Sequence, residues 1–337
     1  MMNHKVWMVK IFSVVCCFCY LFVFLEKLIY GFMKRILFLS GFVMMSCCIG
    51  FAQHNYWQRF SEEFERKDTL KLKEILQKWQ NDSPEDADLH ASWFNFYLLR
   101  AITETMQITT APPVSNVEAL VLTDSLGNEV GYMYGAVRQD SVLLEKAYDW
   151  LDKGIQKHPD RLDLRYGKIT CLLGRGDYKR FLKDVQSALD YSLVIKNHWK
   201  WTLDEQLPIE EGQEIFLNGM QDYFVSCFEA NTSESESATM ELVKMVLKYY
   251  PDDMKFRTNQ ATVYYMKGEY VVALQQYLNL LEDYPNDTIL LGNIAYIYTL
   301  KEDKPNAIRY YQRMLEVGNE EEKEFARKNI QELKDSR

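Results

Sequence analysis

KGEYVVALQQYLNLLEDYP, Lys267 to Pro285, contains no catalytic signature, yet a glycine stands near its start, a small residue, Ala273, lies within it, tyrosines recur, and a proline closes it. Set with its preceding residues against Asn293 to Gly318, NIAYIYTLKEDKPNAIRYYQRMLEVG, it repeats. Ala261 and Ala295, Tyr264 and Tyr298, Ala273 and Ala307, and Tyr277 and Tyr311 are each separated by 34 residues, as are Pro251 and Pro285. Farther upstream, Gly176-Asp177-Tyr178 follows Pro159 by 17 residues, the interval from Pro251 to Gly268-Glu269-Tyr270. That many coincidences at one step identify a repeated structural unit.

Packing explains the residue types. Each unit reads as two antiparallel helices, in which small residues let the helices approach and aromatics fill the space between layers. Glycine permits the tight turn, and proline stops the second helix. One such unit cannot bury its apolar faces alone, so several must stack. Period and residue types resemble the tetratricopeptide repeat. The resemblance implies an all-α, right-handed α-solenoid of antiparallel helix pairs. These are expected at 54–66 with 68–81, 86–105 with 141–157, 162–174 with 177–190, 212–230 with 238–250, 254–267 with 270–283, and 288–301 with 304–316. Repeats thus occupy 53–317, and 318–337 reads as a polar-faced capping helix.

Two segments interrupt the pattern. Within residues 108–138, Pro112-Pro113 ends any helix, and Ala119–Thr123 with Glu129–Tyr134 around Leu126-Gly127-Asn128 reads as an inserted β-hairpin. A lone hairpin is marginal in water, so it must lie against its own helices or a partner. Residues 192–212 form a loop presenting Trp199 and Trp201 beside His198 and Lys200. Such rings either contact a peptide or sugar or pin the loop to the body.

The chain's 47% hydrophobic and 14% aromatic residues suffice for a sizeable core. Its formal charge is −9, but the first 52 residues carry a net +4, five basic residues against Glu26, which leaves −13 for the remainder. An acidic body argues against nucleic acid as the main partner. Met33 to Gln53 has the basic start, apolar middle and small-residue end of a signal peptide, 33–52, with cleavage expected after Ala52. A lipoprotein acylated at Cys47 or Cys48 is the second reading. Residues 1–32 hold another apolar run, Ile11–Leu25, and read as a mis-assigned start or, alternatively, a membrane segment. Membrane contact is therefore expected only through this leader. Outside it remain Cys171 and Cys227, both read as small buried hydrophobes.

No His-Glu-x-x-His, Cys-x-x-Cys or phosphate loop is present in the sequence. His90 follows Asp86 and Asp88, a weak metal signal; acids before a helix are more often caps. Arg175-Gly176-Asp177 resembles an adhesion tripeptide but fits the interhelical turn. Asp68-Thr69-Leu70, Asp124-Ser125-Leu126 and Asp140-Ser141-Val142 resemble an envelope O-glycosylation acceptor pattern of some Gram-negative bacteria, and turn or cap roles account for them equally. No catalytic residue, cofactor or metal is expected.

Tetratricopeptide proteins generally grip peptides or helices in a groove lined by the first helix of each pair. Carried over, that groove would comprise Tyr166, Thr170, Lys255, Thr258, Thr262, Tyr265, Ile289, Tyr296 and Thr299. Family members that clamp a terminal carboxylate use lysine and asparagine; here Thr258 and Gly292 stand in the lysine position, and Thr262 and Tyr296 in the asparagine position. A neutral, aromatic groove is expected instead. The sequence thus points to a non-enzymatic scaffold for another protein or peptide, exported to the bacterial periplasm or envelope. The alternatives are a peptide- or glycan-binding module built on Trp199, Trp201 and the groove tyrosines, and a hydrolase assembled from distant residues.

Overall fold

The computed structural model describes residues 50–112 and 118–335. The readings placed on the leader before Gly50 lie outside the described residues. Helices α1 (Gly50–Glu65) and α2 (Thr69–Asp82) precede α3 (Ala87–Ala101), and strands β1 (Ile102–Thr109), β2 (Ala119–Thr123) and β3 (Glu129–Gln139) lead into α4 (Ser141–Lys157). Then come α5 (Leu162–Gly174), α6 (Tyr178–Val194), α7 (Ile209–Ala230) and α8 (Ser233–Tyr249). The series closes with α9 (Met254–Met266), α10 (Tyr270–Asp283), α11 (Thr288–Leu300), α12 (Lys304–Val317) and α13 (Glu320–Asp335). The chain is all-α, built of tetratricopeptide-like antiparallel helix pairs with one small sheet.

Two turns recur and explain the pairing. Inside a pair, one residue adopts a left-handed conformation: Gly176 (φ 70°), Gly268 (φ 75°), and also Lys67 (φ 56°) and Glu302 (φ 59°). At each, two amides bond back to the helix end, as Gly268 N–H does to Tyr265 and Glu269 N–H to Tyr264. Glycine adopts this conformation without the steric cost that Lys67 and Glu302 meet. Between pairs runs a proline turn: Ser83-Pro84, His158-Pro159, Tyr250-Pro251 and Tyr284-Pro285 each start a turn closed by an N–H three residues on. An aspartate then caps the next helix, Asp86 for α3, Asp253 for α9 and Asp287 for α11. After Pro159 the capping position holds Arg161 instead.

The described residues divide into two compact units, one of 50–168 with Val194–Gly212, the other of Ile169–Leu193 with 213–335. In the first, Tyr56, Phe60, Leu72, Leu76, Trp79, Trp93 and Phe96 form the core. Trp79 donates its indole N–H to Asp86 at 2.7 Å, so the cap of α3 also satisfies the largest side chain of α2. In the second, Ala261, Ala273, Ala295 and Ala307, all fully buried, sit where helices cross, with Tyr277, Leu290, Ile294 and Tyr311 filling the layers. The capping helix expected from 318 forms from Glu320, burying Ala326, Ile330 and Leu333.

The insertion differs from its sequence reading. Helix α3 ends at Ala101 rather than near 105, because Ile102-Thr103-Glu104-Thr105 carries β-branched residues and pairs as a strand. The result is a three-stranded antiparallel sheet in the order β1-β3-β2, residues 102–139, instead of a hairpin over 108–138. A third strand supplies the pairing that a lone hairpin lacks. Asp140 N–H bonds to the Ala101 carbonyl at 2.8 Å, closing the neck, so the sheet replaces the turn between α3 and α4. Its distal turn is held by Asp124, whose carboxylate accepts the N–H groups of Leu126 and Asn128, with Gly127 at φ 84°. Helix α8 likewise starts earlier than the expected residue 238, at Ser233, because Thr232 and Ser235 form a capping box.

Candidate binding surface

In the second unit the first helices of successive pairs present a row of amides and tyrosines. Lys255 Nζ, exposed on α9, donates to Asn218 on α7 at 2.6 Å, and one turn on, Asn259 donates to Gln221 at 2.6 Å. Tyr265 at the end of α9 meets Tyr296 of α11 edge-on, ring centroids 6.0 Å apart, and Tyr270 at 5.7 Å. All three rings are partly exposed. Burial and then the neighbouring Tyr296 hydroxyl raise the Tyr265 phenol well above its ordinary range, so this cluster is neutral at any physiological pH. Ile289, half-exposed, extends the row on α11. Such a surface offers hydrogen bonds and apolar ring area but little charge.

The threonines assigned to the groove do not line it. Thr258 and Thr262 are buried: Thr258 bonds back to the Met254 carbonyl, and the Thr262 hydroxyl meets Tyr277 at 2.7 Å. Thr299 bonds to the Ala295 carbonyl. A β-branched hydroxyl in a helix satisfies itself on its own preceding turn. Thr170 is exposed, its hydroxyl 3.2 Å from that of Tyr223, and Tyr166 lies in the first unit, 6.4 Å edge-on from Trp201. The sequence reading missed Asn259, Asn293, Asn218 and Gln221. The 34-residue spacing of Asn259 and Asn293 was the available signal.

Trp199 is not a contact residue. It is 0% exposed, its indole N–H reaches Asn197, and the Arg165 guanidinium lies 5.9 Å from its ring centre. The Trp199 carbonyl accepts Leu207 N–H and Gln206 Nε2, which folds residues 199–207 back on themselves. What the loop does follows from the missing aspartate cap of α5. Leu162 N–H, orphaned by Arg161, donates to the Lys200 carbonyl at 2.9 Å, while Lys200 N–H donates to Asp160 at 2.8 Å. The tryptophan loop therefore caps α5 through its backbone, and Trp199 anchors it.

Arg161 itself is 0% exposed. Its guanidinium bonds Asp88 at 2.6 Å and Asp163 at 2.8 Å, and Asp88 also accepts Leu203 N–H from the loop. Burial alone would pull Arg161 down, but Asp163 and Asp88 outweigh it and hold the guanidinium above its ordinary range. Asp86 caps α3, as its position before the helix suggested, and Asp88 serves this ion pair. Asp68 and Asp140 cap helices, and Asp177 accepts Arg180 N–H beside the Gly176 turn. Cys227 is buried, with its thiol pushed up to about 12 by desolvation.

His90 packs within the same unit, 5.5 Å from Trp150 and 6.2 Å from His158, where Gly154 leaves room for it: a Cβ on Gly154 would lie 2.8 Å from that of His90. Burial first, then the charges of Lys157 and His158, lower its pKa from 6.5 to about 4. The unfolded chain thus binds this proton before the folded one. Its contribution to stability is complete above about pH 6.5 and is lost as pH falls through about 4. Urea midpoints measured from pH 7 to 4 are expected to fall, and to fall less in His90→Gln.

No family model matches the sequence, and a search of curated proteins finds no match. Solved structures do match. One is the crystal structure of the APC/C hetero-tetramer Cut9-Hcn1, similar over 93% of this chain at 12% identity with a TM-score of 0.30. The chain spans about half, 52%, of the length of that solved chain.

Proposed function

We propose that this protein is a non-enzymatic helical-repeat scaffold that recruits another protein in the bacterial envelope through the amide and tyrosine row on α7, α9 and α11. The observation that carries this reading is the Tyr265–Tyr296–Tyr270 cluster: three partly exposed rings from neighbouring helices, in mutual contact, beside exposed Lys255. Tyrosines of this kind give large contact area at low entropic cost and dominate protein interfaces. The neutrality of the row favours an extended or helical segment with polar and aromatic side chains over a terminal carboxylate. An acidic body favours protein over nucleic acid. Export rests on the signal-like layout of residues 33–52, and a leader retained as a lipid or membrane anchor is the alternative location. Burial of Trp199 takes away the residue on which a glycan site would have depended.

Affinity capture from envelope extract, run with the parent and with a Tyr265→Ala, Tyr296→Ala variant of equal helicity, tests the reading. A discrete protein held by the parent and reduced about tenfold or more by the variant is expected. Equal capture by both contradicts it.

A further inference from the structure

The sheet carries an apolar face that the described residues leave open. Side chains alternate along a strand, so the register decides which share a face. Ile108 of β1 and Leu120 of β2 are both paired with Met133 of β3, making an apolar ridge across all three strands. Beside it, Met106 is paired with Gly135, and Val137 lies on the same face. Met106, Ile108, Leu120 and Val137 are 65%, 69%, 63% and 52% exposed.

Gly135 makes this more than a bare surface. A Cβ there would meet nothing within 4 Å, and its φ lies outside the left-handed region, so neither space nor backbone demands glycine. Gly131 on the same strand contrasts with it, since its Cβ would come within 2.9 Å of the Thr109 carbonyl oxygen. Gly135 therefore leaves an open socket walled by Met106, Met133 and Val137. The rim is acidic: Glu104, Glu118, Asp124 and Glu129 are all exposed.

We propose that this face docks an amphipathic α-helix of another protein, its apolar stripe on the ridge and in the socket, its flanking lysines or arginines against the acidic rim. Eight residues at about 3.4 Å and three strands at about 4.8 Å give a face of about 27 by 14 Å. That accommodates one helix, about 10 Å wide and about 18 residues long. A second copy fits less well, because a two-fold contact sets acidic rim on acidic rim, and about 400 Å² per side is half of what a standard stable interface buries. Anionic lipid is repelled by the same rim. The proposal stands independently of the tyrosine row.

The test is fluorescence anisotropy with the purified protein and a labelled 18-residue peptide carrying leucines on one helical face and lysines on the other. A scrambled peptide of identical composition serves as the control for charge. The amphipathic peptide is expected to bind about tenfold tighter or more than the scrambled one. Gly135→Gln, which fills the socket, and Met106→Asn should each weaken it about tenfold with unchanged circular dichroism, while Tyr265→Ala, Tyr296→Ala leaves it unaltered. Equal binding of both peptides, or of parent and Gly135→Gln, overturns the proposal. So does a dimer in sedimentation that Gly135→Gln dissociates, which would assign the face to a second copy, or socket-dependent binding to anionic vesicles, which would assign it to lipid.

Discussion

Replacing Arg161 with methionine is expected to lower the free energy of unfolding by about 3–5 kcal/mol, read from urea midpoints. The loss does not come from the attraction of the pair alone, since desolvation offsets much of that. It comes from what is left behind. Asp88, 1% exposed, would keep its charge in the core with only Leu203 N–H as a bonding partner. Asp163, slightly more open, would lose both its contacts to the guanidinium. A double variant, Arg161→Met with Asp88→Leu, should therefore regain part of the stability, with a coupling of about 1–3 kcal/mol. A loss below about 1 kcal/mol in the single variant would mean that water reaches the pair, contrary to its burial.

Trp199→Ala should cost a similar amount, about 3–5 kcal/mol, because a fully buried indole is replaced by a cavity. The more telling readout is hydrogen exchange. Leu162, Lys200 and Leu207 donate the amides that tie the loop to itself and to the start of α5, so all three are expected to exchange faster together. Trp201, half-exposed against Tyr166, should matter less when truncated. Unchanged exchange at Leu162 would show that the loop caps α5 without its tryptophan.

The repeat was legible because it is written in residues that packing and turns require. Ala261 and Ala295 tolerate no bulk where helices cross, Gly268 sits in a left-handed turn, and Pro251 and Pro285 start the same interpair turn. The first pair was faint for the converse reason, since Lys67 takes the left-handed position without announcing it. Strand β1 was hidden because it continues directly from α3, with no breaker between Ala101 and Ile102, and its partner β3 lies some 30 residues away. Groove residues were harder still. Helical phase places Thr258 and Thr262 near the surface, but only contacts reveal that their hydroxyls turn back to the helix and to Tyr277. Arg161 was legible in principle as the one departure from aspartate after the proline turn. Its partners, Asp88 and Lys200, are too distant in sequence for spacing to expose.

The most direct test of the scaffold reading places a photo-crosslinking phenylalanine analogue at position 296, in the tyrosine row, or at position 271, where Val271 is 68% exposed on the second helix of the same pair as Tyr265. Cells producing each form are irradiated and the adducts resolved by mass. A discrete protein crosslinked from position 296 and absent from position 271 is the predicted result. The same adducts from both positions, or none from 296 while the protein is folded and abundant, would contradict recruitment through this surface.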